Sequence, residues 1–258
     1  MGKLIVIDGL DGSGKTTQAE LLFKRLKKES INVKRISFPN YDDDSSALVK
    51  MYLSGKLGKD PNKINPYAAS SFYAVDRFIS YEKYWKEFYK LGSIIICDRY
   101  VTSNFIYQMI KLPKHEWNNF IQWIEDFEYK KLSLPKPDKV IYLDLEPKIS
   151  QKLIDERCQQ NNVKKDIHEK DIDYLNNCRK AAQYISNCKN WNIIKCSENI
   201  DNHSKYTNIP DIPHGATYTS KDIPKPTLNL VGDNKEIYGI KTLNDRIFEL
   251  VKDLVLTI

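Results

Sequence analysis

Residues 3–18 read Lys3-Leu4-Ile5-Val6-Ile7-Asp8-Gly9-Leu10-Asp11-Gly12-Ser13-Gly14-Lys15-Thr16-Thr17-Gln18. A short apolar run ends at an aspartate, a glycine-rich loop follows, and an amphipathic segment opens at Lys15-Thr16. Gly9 to Thr16 matches G-x-x-x-x-G-K-[ST] in full, in the context of strand, loop and helix that gives the motif its meaning. The glycines let backbone N–H groups converge on phosphate oxygens. The N-terminus of the following helix adds partial positive charge. In this chemistry Lys15 reaches the β- and γ-phosphates and the Thr16 hydroxyl ligates Mg²⁺. Gly9, Asp11, Gly12, Ser13, Gly14, Lys15, Thr16 and Thr17 form the expected triphosphate-binding set. The motif alone specifies a nucleoside triphosphate. No run of hydrophobic residues ending in D-x-x-G or N-K-x-D is evident, so guanine-switch chemistry has no support.

Outward from this loop, five short apolar runs alternate with longer helical stretches. They span residues 3–8, 32–38, 93–98, 138–145 and 191–196, and their Val- and Ile-rich cores are mostly continuous. Continuous apolar runs belong to strands buried on both faces of a parallel sheet, and each gap is long enough for a crossover helix. Ala19, Leu22, Phe23 and Leu26 fall on one helical face, as do Leu243, Ile247, Leu250, Val251 and Leu254. The expectation is a single three-layer α/β domain over residues 1–258: a five-stranded parallel sheet flanked by helices, with its binding face at the carboxyl ends of the strands. The stretch 199–238 carries Pro210, Pro213, Pro224, Pro226, Gly215 and Gly232 and reads as an irregular insertion.

At 258 residues the chain can bury a substantial core. No apolar run approaches the roughly 20 residues of a membrane helix, and no signal-peptide pattern opens the sequence. Five cysteines without a C-x-x-C pair point to reduced thiols and a cytoplasmic protein. A net charge of +6 suits an anionic ligand, but the lysines are dispersed and no basic–aromatic stripe marks a nucleic-acid partner.

Further constellations sit at the other strand ends. The second run ends in Phe38-Pro39-Asn40-Tyr41, and the third in Asp98-Arg99-Tyr100. Tyr73 and Arg77 are spaced i, i+4 in a helical stretch and share one side. Together with D-G-S-G-K-T-T-Q at 11–18, D-R-Y-x-x-S-N at 98–104, Tyr107-Gln108 and the D-x-x-E at 166–169, these residues resemble the thymidylate kinase family. The likeness covers roughly residues 1–198 and the last helix.

The resemblance implies a P-loop nucleoside monophosphate kinase-like fold and transfer of the ATP γ-phosphoryl group to dTMP, with Mg²⁺ as cofactor and a homodimeric assembly. It also implies residue roles. Asp11 would bind the deoxyribose 3′-hydroxyl, Arg99 the acceptor phosphate, and Asp98 would join Thr16 in organising Mg²⁺. Tyr73 would stack on the thymine, Arg77 would donate to a thymine carbonyl, and Asn104 would meet the base at N3. Tyr107 would crowd the place of a ribose 2′-hydroxyl, and Tyr41 would line the sugar-phosphate. Phe38 and Ser103 complete the expected acceptor site. Such a clamp, platform and amide reader suffice to orient a pyrimidine nucleotide.

The sequence departs from the family in its cations. The P-loop carries Gly12 and Ser13 and offers no arginine. The lid, about residues 156–169, reads Asp166-Ile167-His168-Glu169 where the family has D-R-x-E. Arg157 is the expected closing cation, with Lys165 second. The rival readings are a deoxynucleoside kinase and a catalytically weak nucleotide-binding regulatory module. Arg99 after Asp98, downstream of F-P-x-Y, favours an acceptor that already carries a phosphate.

Overall fold

The computed structural model of the chain describes residues 1–58, 60–161, 171–199, 229–230 and 235–256. In chain order the elements are β1 (Lys3–Gly9), α1 (Lys15–Lys28), β2 (Val33–Ser37), α2 (Ala47–Leu53), α3 (Pro66–Ser80), α4 (Lys86–Lys90), β3 (Ile94–Asp98), α5 (Thr102–Tyr107), α6 (Trp117–Ile124), β4 (Lys139–Asp144), α7 (Pro147–Asn161), α8 (Ile172–Lys189), β5 (Asn192–Lys195), β6 (Ser197–Asn199), β7 (Asn229–Leu230), β8 (Lys235–Ile237) and α9 (Ile240–Leu256). All five expected strands are present, and they form one parallel sheet in the order β2-β3-β1-β4-β5.

The continuous hydrophobicity of β1 is explained by what covers it. Leu4 and Val6 point into one core with Ile95, Cys97, Phe105, Phe120 and Ile124. Ile5 and Ile7 point into the other, with Ala19, Leu22 and Leu26 of α1 and Leu243, Ile247 and Val251 of α9. All four β1 side chains are fully buried. Each such aliphatic burial contributes roughly 1.5–3 kcal/mol, and a strand with only one apolar face could serve only one of the two layers.

Register then places the site. Ile7 pairs with Asp98, and Ser37 pairs with the same residue from the other side. The carboxyl end of β1 at Asp8-Gly9 and the first residues beyond β3 and β2, Arg99 and Phe38, therefore emerge side by side at the carboxyl edge of the sheet. Two loop bonds hold them there: Arg99 N–H donates to the Ile7 carbonyl at 3.1 Å and Phe38 N–H to the Asp98 carbonyl at 3.0 Å.

Of the expected irregular insertion, residues 200–228 and 231–234 lie outside the described residues. Its two ends meet in a small antiparallel sheet of order β6-β8-β7. Among the described residues, no helix is long and apolar enough to cross a membrane. Cys97, Cys178, Cys188 and Cys196 are free thiols.

Candidate active site

The glycine-rich loop closes on itself, with Ser13 N–H donating to the Leu10 carbonyl at 3.1 Å. Gly12 and Gly14 have φ of 80° and 83°, in the left-handed region that side chains resist. Gly12 is also hemmed in: a Cβ there would lie 2.8 Å from the carbonyl oxygen of Ser150 at the start of α7. Thr16 and Thr17 sit exposed in the first turn of α1, and Lys15 is buried beside them.

Asp11 joins this loop to the third strand. Its Oδ1 accepts from Lys15 Nζ at 3.1 Å and from Arg99 Nη2 at 2.5 Å. Burial alone would raise the Asp11 carboxyl, but Arg99 and Lys15 outweigh it and hold the group well below the usual carboxylate range. The same balance acts on Arg99, where burial opposes the charge and Asp11, Tyr107, Asp8 and Asp98 overcompensate. The Tyr107 hydroxyl lies 3.3 Å from Arg99 Nη2, and the guanidinium carbon is 5.1 Å from the Tyr107 ring centroid. Burial pushes that phenol well above its ordinary value, so it stays protonated.

From Asp11 and Arg99 a cleft opens between the strand ends and helices α3 and α5. It is lined by Phe38, Tyr41, Tyr73, Arg77, Arg99, Ser103, Asn104 and Tyr107 together with Asp11, so the structure brings together all nine residues expected around the acceptor. Tyr41 stands exposed at its mouth and Phe38 is buried against Tyr100, ring centroids 6.1 Å apart. Tyr73 packs edge-on to Tyr52 at 6.2 Å. Ser103 is tied by its hydroxyl to Asp8 Oδ2 at 2.8 Å. Asp98 is buried at the end of β3, and among the described residues its Oδ1 takes no hydrogen bond. The side chain of Arg157 and residues 162–169, hence most of the expected lid, lie outside the described residues.

Four residues that shape this site were given no role in the sequence reading. Asp8, fully buried, accepts from Gly9 N–H at 2.8 Å, Thr102 Oγ1 at 2.6 Å and Ser103 Oγ at 2.8 Å, lashing α5 to the phosphate loop. Asp76 accepts from Asn40 N–H at 3.0 Å and Ser45 Oγ at 2.6 Å, fixing the loop after β2 on α3. Glu128 pairs with Arg77 and Asn104. Gln108 lines the cleft one helical turn beyond Asn104; that i, i+4 spacing was the available signal.

A glycine-rich loop and a buried arginine that meet on one carboxylate at a single sheet edge suit a phosphoryl-transfer enzyme, and comparison with known proteins agrees. The family model described as thymidylate kinase matches residues 7–206. The chain belongs to the thymidylate kinase family. It is 28% identical to a putative thymidylate kinase of Invertebrate iridescent virus 6 over 199 residues, covering 77% of this chain and 83% of that one. A probable thymidylate kinase of Thermococcus onnurineus is 31% identical over 202 residues, with 77% and 93% covered. A solved structure of the Candida albicans thymidylate kinase superposes with a TM-score of 0.61 at 20% identity, covering 98% of this chain and 92% of that one, which speaks to the fold. The enzyme is thus an ATP-dependent dTMP phosphotransferase, and the deoxynucleoside-kinase and non-catalytic readings are not favoured.

Proposed function

We propose a division of labour among the residues of this site. Gly9–Thr16 and Thr17 cradle the ATP phosphates, with Lys15 on the β- and γ-oxygens. Arg99 holds the acceptor phosphate, with its sugar over Asp11 and Tyr107. Tyr73 carries the base, and Arg77 and Asn104 read its edge. Phe38, Tyr41 and Ser103 close the walls. One observation carries the reading: the Asp11 carboxylate is shared by Lys15 and Arg99, so the two cradles face each other across a single side chain.

Phosphoryl transfer asks little covalent help of a protein. Holding donor and acceptor in line and neutralising charge on the equatorial oxygens supplies most of the acceleration. Lys15 and Arg99 supply cations from opposite sides, and Arg157 is the proposed third, closing from the lid.

Mg²⁺ fits the oxygens available. Among the described residues no three His, Cys, Asp or Glu side chains gather around a metal point. Mg²⁺ characteristically uses one or two protein oxygens and fills its shell with water and substrate phosphate. Thr16 and Asp98 Oδ1, which has no hydrogen-bond partner among the described residues, would hold it. When bound it would supply positive charge to offset that of the ATP phosphates.

The free thiols support a cytoplasmic enzyme. A homodimer is supported by exposed Leu48 and Met51 on α2 and Val75 on the adjacent α3.

A coupled ADP-release assay with Mg²⁺ over all nucleoside monophosphates and thymidine tests the assignment. dTMP is expected to give the highest kcat/KM. Faster turnover of thymidine, or ATP binding without ADP release on adding dTMP, overturns it.

A further inference from the structure

Glu128 lies in a π-helical stretch, Glu125–Lys131, that continues α6, and it is fully buried. No motif includes it, yet it touches two residues that line the cleft. Arg77 Nε donates to Oε2 and Arg77 Nη2 to Oε1, both at 2.7 Å. Asn104 Nδ2 donates to the same Oε1 at 2.9 Å and to the Ser70 carbonyl at 3.3 Å.

These contacts fix the direction of the Asn104 amide. A carboxylate and a carbonyl are acceptors only, so the amide nitrogen must face them and the amide oxygen must face away. Among the described residues Asn104 Oδ1 takes no hydrogen bond, and it is not sealed from the surface, so the polar atom it turns to the cleft is an acceptor. Arg77 is fixed by the same carboxylate. Its Nε and Nη2 each donate to Glu128 and Nη1 donates to the Tyr100 carbonyl at 3.3 Å, so among the described residues three of its five N–H groups are used and Nη1 and Nη2 each keep one hydrogen to give. The cleft therefore carries a guanidinium donor and an amide acceptor whose order is set from behind.

We propose that Glu128 is a positioning residue for base selection: by orienting Arg77 and the Asn104 amide, it commits the cleft to a pyrimidine edge with a carbonyl beside an imino N–H. This rests on the acceptor site proposed above. Thymine and uracil have that edge: C4=O accepts from Arg77 and N3–H donates to Asn104 Oδ1. Cytosine inverts both, so N3 meets an acceptor and the 4-amino group meets a donor. Leaving buried polar groups unpaired is the strongest discrimination such a site can make.

The test compares Glu128→Gln with wild type in steady-state kinetics on dTMP, dUMP and dCMP. Glutamine introduces an N–H₂ that must face Arg77 or Asn104, so the Asn104 amide is free to turn over. The ratio of kcat/KM for dTMP over dCMP should fall at least about tenfold, through acceptor KM, with KM for ATP within about twofold. The dTMP/dUMP ratio should not move, because this network does not read the 5-methyl group. A merely structural Glu128 would depress all three nucleotides alike, and that result overturns the proposal. So does a wild type that shows no preference for dTMP over dCMP. Adding Asn104→Ala to Glu128→Gln should cost less further discrimination than Asn104→Ala costs in the wild type, and an additive loss counts against action through Asn104. Should Glu128→Gln fail to fold, Glu128→Asp, too short to hold both partners, is read by the same ratio. A folded wild type that does not phosphorylate dTMP sinks the site assignment instead, a different outcome from a folded variant with unchanged selectivity.

Discussion

Replacing Arg99 by lysine keeps the charge and removes the geometry. Arg99 Nη2 is committed to Asp11 and to the Tyr107 hydroxyl, and Nη1 stands 3.7 Å from Asp8, beyond hydrogen-bonding range. Among the described residues Nε and Nη1 make no hydrogen bond, so they are the groups left to meet an acceptor phosphate. A lysine has one nitrogen at the end of a flexible stem. If that nitrogen keeps Asp11, the planar fork toward the phosphate is gone. Losing one charge-assisted hydrogen bond of about 1.5–3 kcal/mol corresponds to roughly 10- to 150-fold in kcat/KM for dTMP at about 1.4 kcal/mol per decade. Because Arg99 stands on the acceptor side of Asp11, the dissociation constant for ATP should move less than about threefold. Steady-state kinetics with dTMP varied, together with an ATP titration of the enzyme alone, separates the two. A kcat/KM for dTMP within about threefold of wild type would refute the assignment of Arg99 to the acceptor phosphate, and a loss confined to ATP would move it to the donor side.

Glu128→Ala strands the Arg77 guanidinium in the core, which costs about 3–5 kcal/mol; at about 2–4 °C per kcal/mol for a chain of this size, thermal denaturation should come some 6–20 °C earlier, and an unchanged Tm would deny that the pair is sealed. Gly12→Ala should abolish measurable ATP binding in a folded protein because its Cβ meets Ser150 backbone, whereas Gly14→Ala, with open space around its Cβ, should suffer only the left-handed strain of about 1–2 kcal/mol; equal titration curves would contradict this. Burial pushes the Lys111 ammonium, 2.8 Å from the Tyr52 hydroxyl, down to about 7. The unfolded chain keeps that proton to about pH 10.4, so Lys111 detracts nothing at the top of this window and stability is lost as pH falls toward 7. Lys111→Met should flatten the rise of urea-measured stability between pH 7 and 10, and a slope equal to wild type would argue that the lysine is solvated.

The phosphate loop was readable because its chemistry is contiguous: eight neighbouring residues make the cradle, and strand and helix flank it directly. The five strands were readable for a similar reason, since residues such as Leu4-Ile5-Val6-Ile7 announce two buried faces. Pairing is another matter. That Ile7 lies beside Asp98, and Asp98 beside Ser37, depends on partners up to 91 positions away and leaves no local trace. Asp8 read only as the end of a strand, and Asp76 drew no reading beside Tyr73 and Arg77, because what they hold arrives from distant segments. Glu128 is the extreme case, an acidic residue between Phe127 and Tyr129 whose counter-ion is 51 positions earlier. The strands bounding the insertion, two or three residues each, are shorter than any periodicity can reveal. The cleft residues that were found came through the family likeness, which imports spatial knowledge that spacing cannot supply.

Because one carboxylate serves as counter-ion to both Lys15 and Arg99, the proposed site would not let its two substrates bind as strangers. A triphosphate arriving at the lysine would loosen that residue's claim on Asp11 and tighten the arginine's, and a monophosphate at the arginine would do the reverse. Linkage requires the two effects to be equal in free energy, so whatever factor dTMP imposes on ATP affinity, ATP must return to dTMP.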